Sequence, residues 1–319
     1  MTHLYFRSSY MHAECSIREI EYLVTTRDGT VTARHIMSGI LGLSSREITR
    51  CKQFEDGVRV LRNGSLIYEK LMIRDNLFPG DKLAVRIYED NERAFEVIPW
   101  DHPIDVVYED EDLILINKPG DMVVHPSYAH YRDSLSNALS GYYQKTGQRH
   151  MIRAIGRLDR ETSGLVMFAK NRYSASLLSD QKGLMSRRKE YLAIAEGTFE
   201  NLSGTVNAPI KRRDDSKMVR EVRPDGKEAI THYEVVKQYE RYALIRLWLD
   251  TGRTHQIRVH MSYIGHPLIG DTLYGHEREK DCTINRAALH AARLEFRQPV
   301  TGKELRFEAP LPEDMRILV

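Results

Sequence analysis

The sequence is poor in cysteine, with 3 in 319 residues, at positions 15, 51 and 282. Thiols so few and so far apart argue against a disulfide framework and against a thiolate metal site. Long apolar runs are missing as well. The longest, 113–116 and 165–169, fall far short of the ~20 residues that span a bilayer, so no membrane role is expected. The N-terminus, MTHLYFRS, lacks a cationic start followed by an apolar stretch, so no secretion signal is expected and a cytoplasmic protein is. Net charge is small too: 47 basic against 45 acidic residues, or +2. Such a balance does not advertise a polyanionic partner. Repeats and low-complexity tracts are absent. So are the G-x-x-x-x-G-K-[ST] phosphate loop, the G-x-S-x-G elbow and the H-E-x-x-H zinc helix. Without a metal or nucleotide signature, chemistry without a cofactor is expected, carried by side chains alone.

What is present is ordinary for a globular protein, 41% hydrophobic and 29% charged, at a length that suggests about two domains. Residues 31–41 and 45–54 predict two short helices broken at Gly42, with Ser44 or Ser45 as N-cap. The second carries Arg46, Arg50 and Lys52, the first two one turn apart on a shared face. Asn63-Gly64 between the extended runs 58–62 and 65–68 predicts a hairpin, because a type I′ turn needs positive φ at both central residues. After the turn at Pro79-Gly80-Asp81, residues 83–87 alternate as a strand. Residues 1–95 therefore read as a small α+β domain, ending in a seam over 91–105, and 96–319 as a larger one. In the latter, 106–108 with 113–116 predict a hairpin, and 165–169, 191–195 and 243–249 further strands. Helices are predicted over 172–185 and 254–264, the second with Thr254 as N-cap and Gly265 just past its end.

Four segments could carry chemistry. In Gly156-Arg157-Leu158-Asp159-Arg160-Glu161-Thr162-Ser163-Gly164, a carboxylate beside small residues leaves room for close approach by a substrate; the alternative is that Asp159 caps its own turn with Thr162. In Thr251-Gly252-Arg253-Thr254-His255-Gln256-Ile257-Arg258-Val259-His260, His255 and Arg258 lie near a helix start that favours anions; the alternative is a structural ion pair for Arg258. Asn117-Lys118-Pro119-Gly120 is a constrained turn that says little by itself. Residues 182–227 hold 11 basic and 7 acidic side chains, a stripe suited either to phosphates or to plain solvation. His255 and His260, five apart, do not share a helix face for a metal. His125 with His130, and His266 with His276, read as surface or packing histidines.

Taken in order, these blocks resemble the RluA-type RNA pseudouridine synthases over most of 104–311. The resemblance rests on Asn117-Lys118-Pro119 with His125-Pro126, Arg157-Leu158-Asp159 with Thr162-Ser163-Gly164-Leu165, Lys189 with Tyr191, and 251–260 running on to Gly265-His266-Pro267-Leu268-Ile269-Gly270-Asp271 and Tyr274-Gly275. One departure is Gly156, where the family usually has a histidine. Residues 13–88 resemble an alpha-L type RNA-binding module shared with a ribosomal protein, although Ala33-Arg34-His35 replaces its usual Arg-Leu-Asp.

The resemblance implies a mixed, mostly antiparallel α+β catalytic domain with a central RNA-binding cleft. It implies a cofactor-free and metal-free isomerase acting on ribosomal RNA of the large subunit, with transfer RNA as the alternative substrate and a monomer as the expected state. It implies Asp159 as the catalytic carboxylate, Arg258 as its partner, Tyr191 stacking on the base and Arg157 entering the RNA stack. Lys118, Arg188 and His255 join Arg46, Arg50 and Lys52 as expected RNA contacts. Rival readings are a catalytically silent RNA-binding or ribosome-assembly factor, and a glycoside hydrolase with Glu161 as second acid.

Overall fold

Residues 113–116 and 165–169 are apolar on both faces of the chain, which suits only strands covered from both sides. In the computed structural model they lie together inside a ten-stranded sheet. The structure describes residues 15–68, 71–90, 94, 96–179, 188–275 and 284–319.

Across the large sheet the strands run Ser203–Asn207, Ile230–Gln238, Tyr242–Leu249, Arg188–Glu196, Leu289–Arg297, Ser163–Ala169, Leu113–Lys118 and Asp105–Glu109. Glu304–Glu308 adds beside Leu289–Arg297, and Arg153–Ile155 beside Ser163–Ala169. Among the described residues the pairings are antiparallel except one, where Ser163 and Gly164 lie parallel to His290 and Ala291. There the backbones nearly touch. A Cβ on Gly164, whose φ is +105°, would sit 2.3 Å from the Ala291 carbonyl oxygen, so only glycine fits. The architecture is the mixed, mostly antiparallel α+β fold expected from the sequence.

The N-terminal residues form their own four-stranded sheet, in the order Cys15–Leu23, Asp81–Asp90, Val58–Arg62, Ser65–Tyr68. Asn63 and Gly64 both take positive φ, +51° and +81°, as the type I′ turn requires. Ser44 caps the helix Ser45–Cys51, its hydroxyl accepting from the Glu47 amide at 3.3 Å. That helix stops short of residue 54 because the chain folds back over its end: a Cβ at Gly57 would lie 1.8 Å from the Cys51 carbonyl oxygen. Of the helix expected over 31–41, residues 33–40 are helical, as a π-helix over His35–Ile40, while Val31–Thr32 form a two-residue strand paired with Asn76–Leu77. β-Branched Val31 and Thr32 suit the extended pairing better than a helix start.

In the larger part, helix Leu135–Lys145 was not anticipated. It begins with a reciprocal cap in which Ser134 and Asn137 bond each other's backbone amides, with asparagine where the usual signature has Glu or Gln. The helix predicted over 172–185 is seen as Arg172–Ser179, and the rest of that span lies outside the described residues. Helix Gln256–Tyr263 is capped in position by His255, not Thr254; His255 takes the left-handed φ of +58° and contributes no side-chain cap.

The two parts meet through buried ion pairs. Asp112 accepts from Nε and Nη2 of Arg18, both at 2.9 Å, and from Asn171, Ser174 and Gln298. Burial works to raise its pKa, but these donors outweigh it and hold the carboxyl below its usual range. Glu89 accepts from Arg153 Nη2 at 2.7 Å and from the Arg172 amide and Nε. There burial prevails and its pKa is raised. Tyr173, from the larger part, packs into the N-terminal apolar cluster and donates its hydroxyl to the Leu41 carbonyl at 2.6 Å.

Candidate active site

Strand Arg153–Ile155 ends at Gly156, whose φ of +82° turns the chain sharply into the loop leading to strand Ser163–Ala169. On this loop Leu158 points into the main apolar cluster, which also holds Tyr191. Asp159 stays partly open, its side chain 29% exposed. The Thr162 amide donates to the Asp159 backbone carbonyl at 3.2 Å. The turn is thus closed by backbone, and the carboxylate accepts no hydrogen bond among the described residues.

What faces Asp159 is His255, with Nε2 at 4.0 Å from Oδ1. The other imidazole nitrogen, Nδ1, lies 2.8 Å from the Tyr274 hydroxyl, which itself accepts from the Arg220 amide at 2.9 Å. A hydroxyl that accepts there still has its own proton to give. Giving it to Nδ1 leaves the ring proton on Nε2, the nitrogen turned toward Asp159. Burial lowers the His255 pKa while the charge of Asp159 opposes this, so the imidazole is neutral at pH 7.

Beneath the loop lies a dense ionic layer. Arg258 grips Asp271 with two hydrogen bonds, at 2.7 and 2.6 Å, and reaches Glu161 at 3.2 Å. Burial opposes its charge, but the bonds to Asp271 and the charges of Asp271, Glu161 and Asp159 outweigh this and raise its pKa. Asp271 also accepts from the amides of Leu273 and Tyr274. The second oxygen of Glu161 accepts from the Ala287 amide at 2.7 Å. Arg286 holds Asp314 through two bonds and donates to the Glu161 carbonyl at 2.9 Å. Gly120 lies flat on that guanidinium, since a Cβ there would come within 2.3 Å of Arg286 Nε.

Lys118 is 1% exposed. Its ammonium donates to the carbonyls of Pro119, Met122 and Arg160 at 2.8, 2.7 and 3.1 Å, joining the turn after strand Leu113–Lys118 to the Asp159 loop. Burial and the Arg286 charge pull its pKa down to about 7, against Asp159 and Asp121. Ser163 and His290 close the layer at 2.9 Å, and burial pushes His290 down to about 4. The result is a rigidly supported, unpaired carboxylate beside a neutral imidazole.

A family profile described as "RNA pseudouridylate synthase" matches residues 112–263. The chain is 41% identical over 284 residues to the uncharacterized RNA pseudouridine synthase YjbO of Bacillus subtilis, covering 88% of this chain and 96% of that protein. It is 38% identical over 282 residues to ribosomal large subunit pseudouridine synthase D of Salmonella typhimurium, covering 85% of each. Among solved structures, human RNA pseudouridylate synthase domain containing 4 superposes with a TM-score of 0.52 at 25% identity, over 71% of this chain and 94% of the other.

The chain belongs to the RluA-type RNA pseudouridine synthases. It is an isomerase of uridine in RNA.

Several expectations drawn from that family change against the geometry. Arg258 does not pair with Asp159 here; its hydrogen bonds go to Asp271 and Glu161, the structural alternative. Lys118 is not placed to meet RNA, since three carbonyls enclose its ammonium. His255 is partly buried and faces Asp159, so its place is beside the carboxylate and not on a phosphate. Arg157 is exposed and close enough to His125 for its charge to help burial lower that imidazole's pKa. Arg188 is exposed at the start of its strand. Arg46 and Lys52 are exposed on the N-terminal helix, whereas Arg50 is half-buried, its charge felt by Glu89 at the junction. Three cations of the basic stripe are paired within it: Lys211 with Asp225, Arg213 with Asp215, and Arg223 with Asp214 and Asp225. Arg187 of that stripe, and His276, lie outside the described residues. His266 is a packing residue, stacked on Phe199 with ring centres 3.8 Å apart. His260 is buried between Thr231 and the Ala208 carbonyl. Among the described residues no cluster of His, Cys, Asp and Glu could hold a metal, and no helix is long and apolar enough to cross a membrane. Missed from the sequence were Glu161, Arg286 and Asp314 as supports. Asp271 and Tyr274 stood in the family block without a role, and that block was the signal for them.

Proposed function

We propose that this synthase isomerises uridines in structured RNA of the large ribosomal subunit, with Asp159 as the attacking carboxylate. The observation that carries the reading is the state of Asp159: ionisable, partly open and unbonded, on a loop immobilised from beneath. A nucleophilic carboxylate must be ionised and free of strong donors until substrate arrives. Attack accompanies cleavage of the glycosidic bond, after which the uracil turns and rejoins the ribose through carbon 5. His255 Nε2–H orients the carboxylate from the side. Tyr191, in the apolar wall behind Leu158, supplies a ring against the base. Exposed Arg157 fills the gap left when the uridine swings out, a step that costs a few kcal/mol.

The names of the relatives, at 38% and 35% identity over 85% and 93% of this chain, support ribosomal RNA as substrate. Residues 1–95 form the RNA-binding module, with Arg46 and Lys52 outward, and 96–319 the catalytic domain. The enzyme works as a cytoplasmic monomer. A glycoside hydrolase is disfavoured because Glu161, its required second acid, is buried and bonded to Arg258 and the Ala287 amide. A silent RNA-binding factor would not need an unpaired Asp159.

Purified protein should release tritium from RNA labelled at uridine carbon 5, and Asp159→Asn should bind RNA without release. No release by the wild type from total RNA of a strain lacking the protein would overturn the reading. Mapping pseudouridines lost from that strain identifies the RNA, and losses confined to transfer RNA would overturn the ribosomal assignment.

A further inference from the structure

The turn that follows strand Leu113–Lys118 continues into a loop, 119–134, for which the reaction above has no use. Its tip is a tight turn closed by Ser127 and His130, whose amides and carbonyls exchange hydrogen bonds at 3.1 and 3.0 Å. Tyr128 at that tip is fully exposed, at 108%, and Tyr131 just beyond it is 64% exposed. A ring held in water, as Tyr128 is, buries no apolar area in the free protein, and Tyr131 buries only part of its own.

The loop is nevertheless well anchored. Leu135 and Ser136 amides bond the carbonyls of Val123 and Val124. The Ser136 hydroxyl holds Val124 and lies 3.3 Å from His125 Nδ1. Asn137 donates to the Tyr131 carbonyl at 3.3 Å, and His130 meets Asp133 at 2.9 Å.

It is also fastened to the Asp159 loop. The Lys118 ammonium bonds Met122 on one side and Arg160 on the other. Arg160 Nε lies 3.8 Å from Asp121. Arg157 stands near His125. The two loops are therefore joined at the base of this one, and the exposed residues Tyr128, Tyr131, Arg132, Arg157 and Arg160 all lie on them.

We propose that Tyr128 and Tyr131 form a stacking platform for unpaired nucleobases flanking the target uridine, with the surrounding arginines on the intervening phosphates. This rests on the functional reading above. Unstacked bases in RNA loops are bound by aromatic faces whatever their identity, and a neighbouring cation suits the backbone between them. A rigid loop suits this use because little ordering entropy is lost on binding.

The test uses the full-length enzyme and total RNA, tritiated at uridine carbon 5, from a strain lacking the protein. Tyr128→Ala with Tyr131→Ala should raise KM about tenfold or more, since stacking on each ring contributes that order of binding. Its kcat should stay within about twofold of wild type, as expected when binding common to ground and transition states is removed. Tyr128→Phe with Tyr131→Phe should restore KM, because a phenyl face stacks as well as a phenol. In the Asp159→Asn background, Tyr128→Trp fluorescence should be quenched on adding the same RNA. An unchanged KM in the alanine variant, a phenylalanine variant as impaired as alanine, or an unquenched tryptophan would each overturn the platform. So would an alanine variant normal on naked RNA but slow on ribosomal particles, because the rings would then face a protein. If the wild type itself releases no tritium, the functional reading falls first and this one with it.

Discussion

Two aspartates of this protein sit in opposite circumstances. Asp112, at the junction between the N-terminal sheet and the large one, is fully buried and receives Arg18, Asn171, Ser174 and Gln298. Asp159, on the loop after Gly156, is partly open and receives no hydrogen bond among the described residues, with only an imidazole at 4.0 Å. Yet the loop of Asp159 is as firmly built as the junction. Its donors have been directed elsewhere: Arg258 to Asp271 and Glu161, Arg286 to Asp314 and the Glu161 carbonyl, Lys118 to three carbonyls. The same charged chemistry serves architecture where every acceptor is met, and leaves a carboxylate open to solvent where donors are withheld.

The largest expected effect separates these roles outright. Asp159→Asn should lower tritium release by about three orders of magnitude or more, with the urea midpoint unchanged; a matching loss of stability would make Asp159 another structural carboxylate. Asp112→Ala should do the reverse. Removing it leaves the buried donors Asn171 and Ser174 without their acceptor and Arg18 with Glu111 alone, which costs about 3 kcal/mol, read as a lower urea midpoint. If Asp112→Ala is as stable as wild type, the junction is not held by this pair.

Acid should dissect the two regions by pH. His290, behind the site, has its pKa pushed from 6.5 to about 4 by burial. Because the folded-state pKa is the lower one, its contribution is whole above pH 6.5 and is lost as the pH falls toward 4. The loss is about 3 kcal/mol for this residue. Asp112, depressed below 3.8, begins to lose its contribution only below that pH. Unfolding free energy measured from pH 7 to 3 should therefore fall first through two histidines, His290 and His150, both pushed down to about 4 by burial, and His290→Asn should remove its share of that fall. The smallest effect concerns Gly156. Replacing it with histidine places a side chain at φ +82°, at a cost of about 1–2 kcal/mol. A Tm equal to wild type would show that the loop relaxes, and that glycine is not required for the turn.

Much of this was legible beforehand where the chain speaks locally. Asn63-Gly64 announced its turn because only certain residues accept two successive positive φ angles. The Ser44-Ser45 pair announced a cap, which the structure gives to Ser44, and the apolar runs at 113–116 and 165–169 announced their strands. Asp159 and His255 were legible through the family blocks. Lys118 and Arg258 were visible as charges but misplaced, because a sequence shows that a cation exists and not which acceptors surround it. The basic stripe shows the same limit, since its sequence does not say that Lys211, Arg213 and Arg223 are met by its own aspartates.

The sequence by itself determined most of the strands, the tight turns and the family, all of which depend on neighbours within a few residues or on ordered motifs. Only the tertiary structure decided that Arg258 serves Asp271, that Lys118 ties two loops together, and that Tyr128 and Tyr131 stand exposed. The contacts of Lys118 and Arg258 join residues from 4 to 97 positions apart. Pairing at such separations follows from how the sheet brings loops together, and no local propensity encodes it.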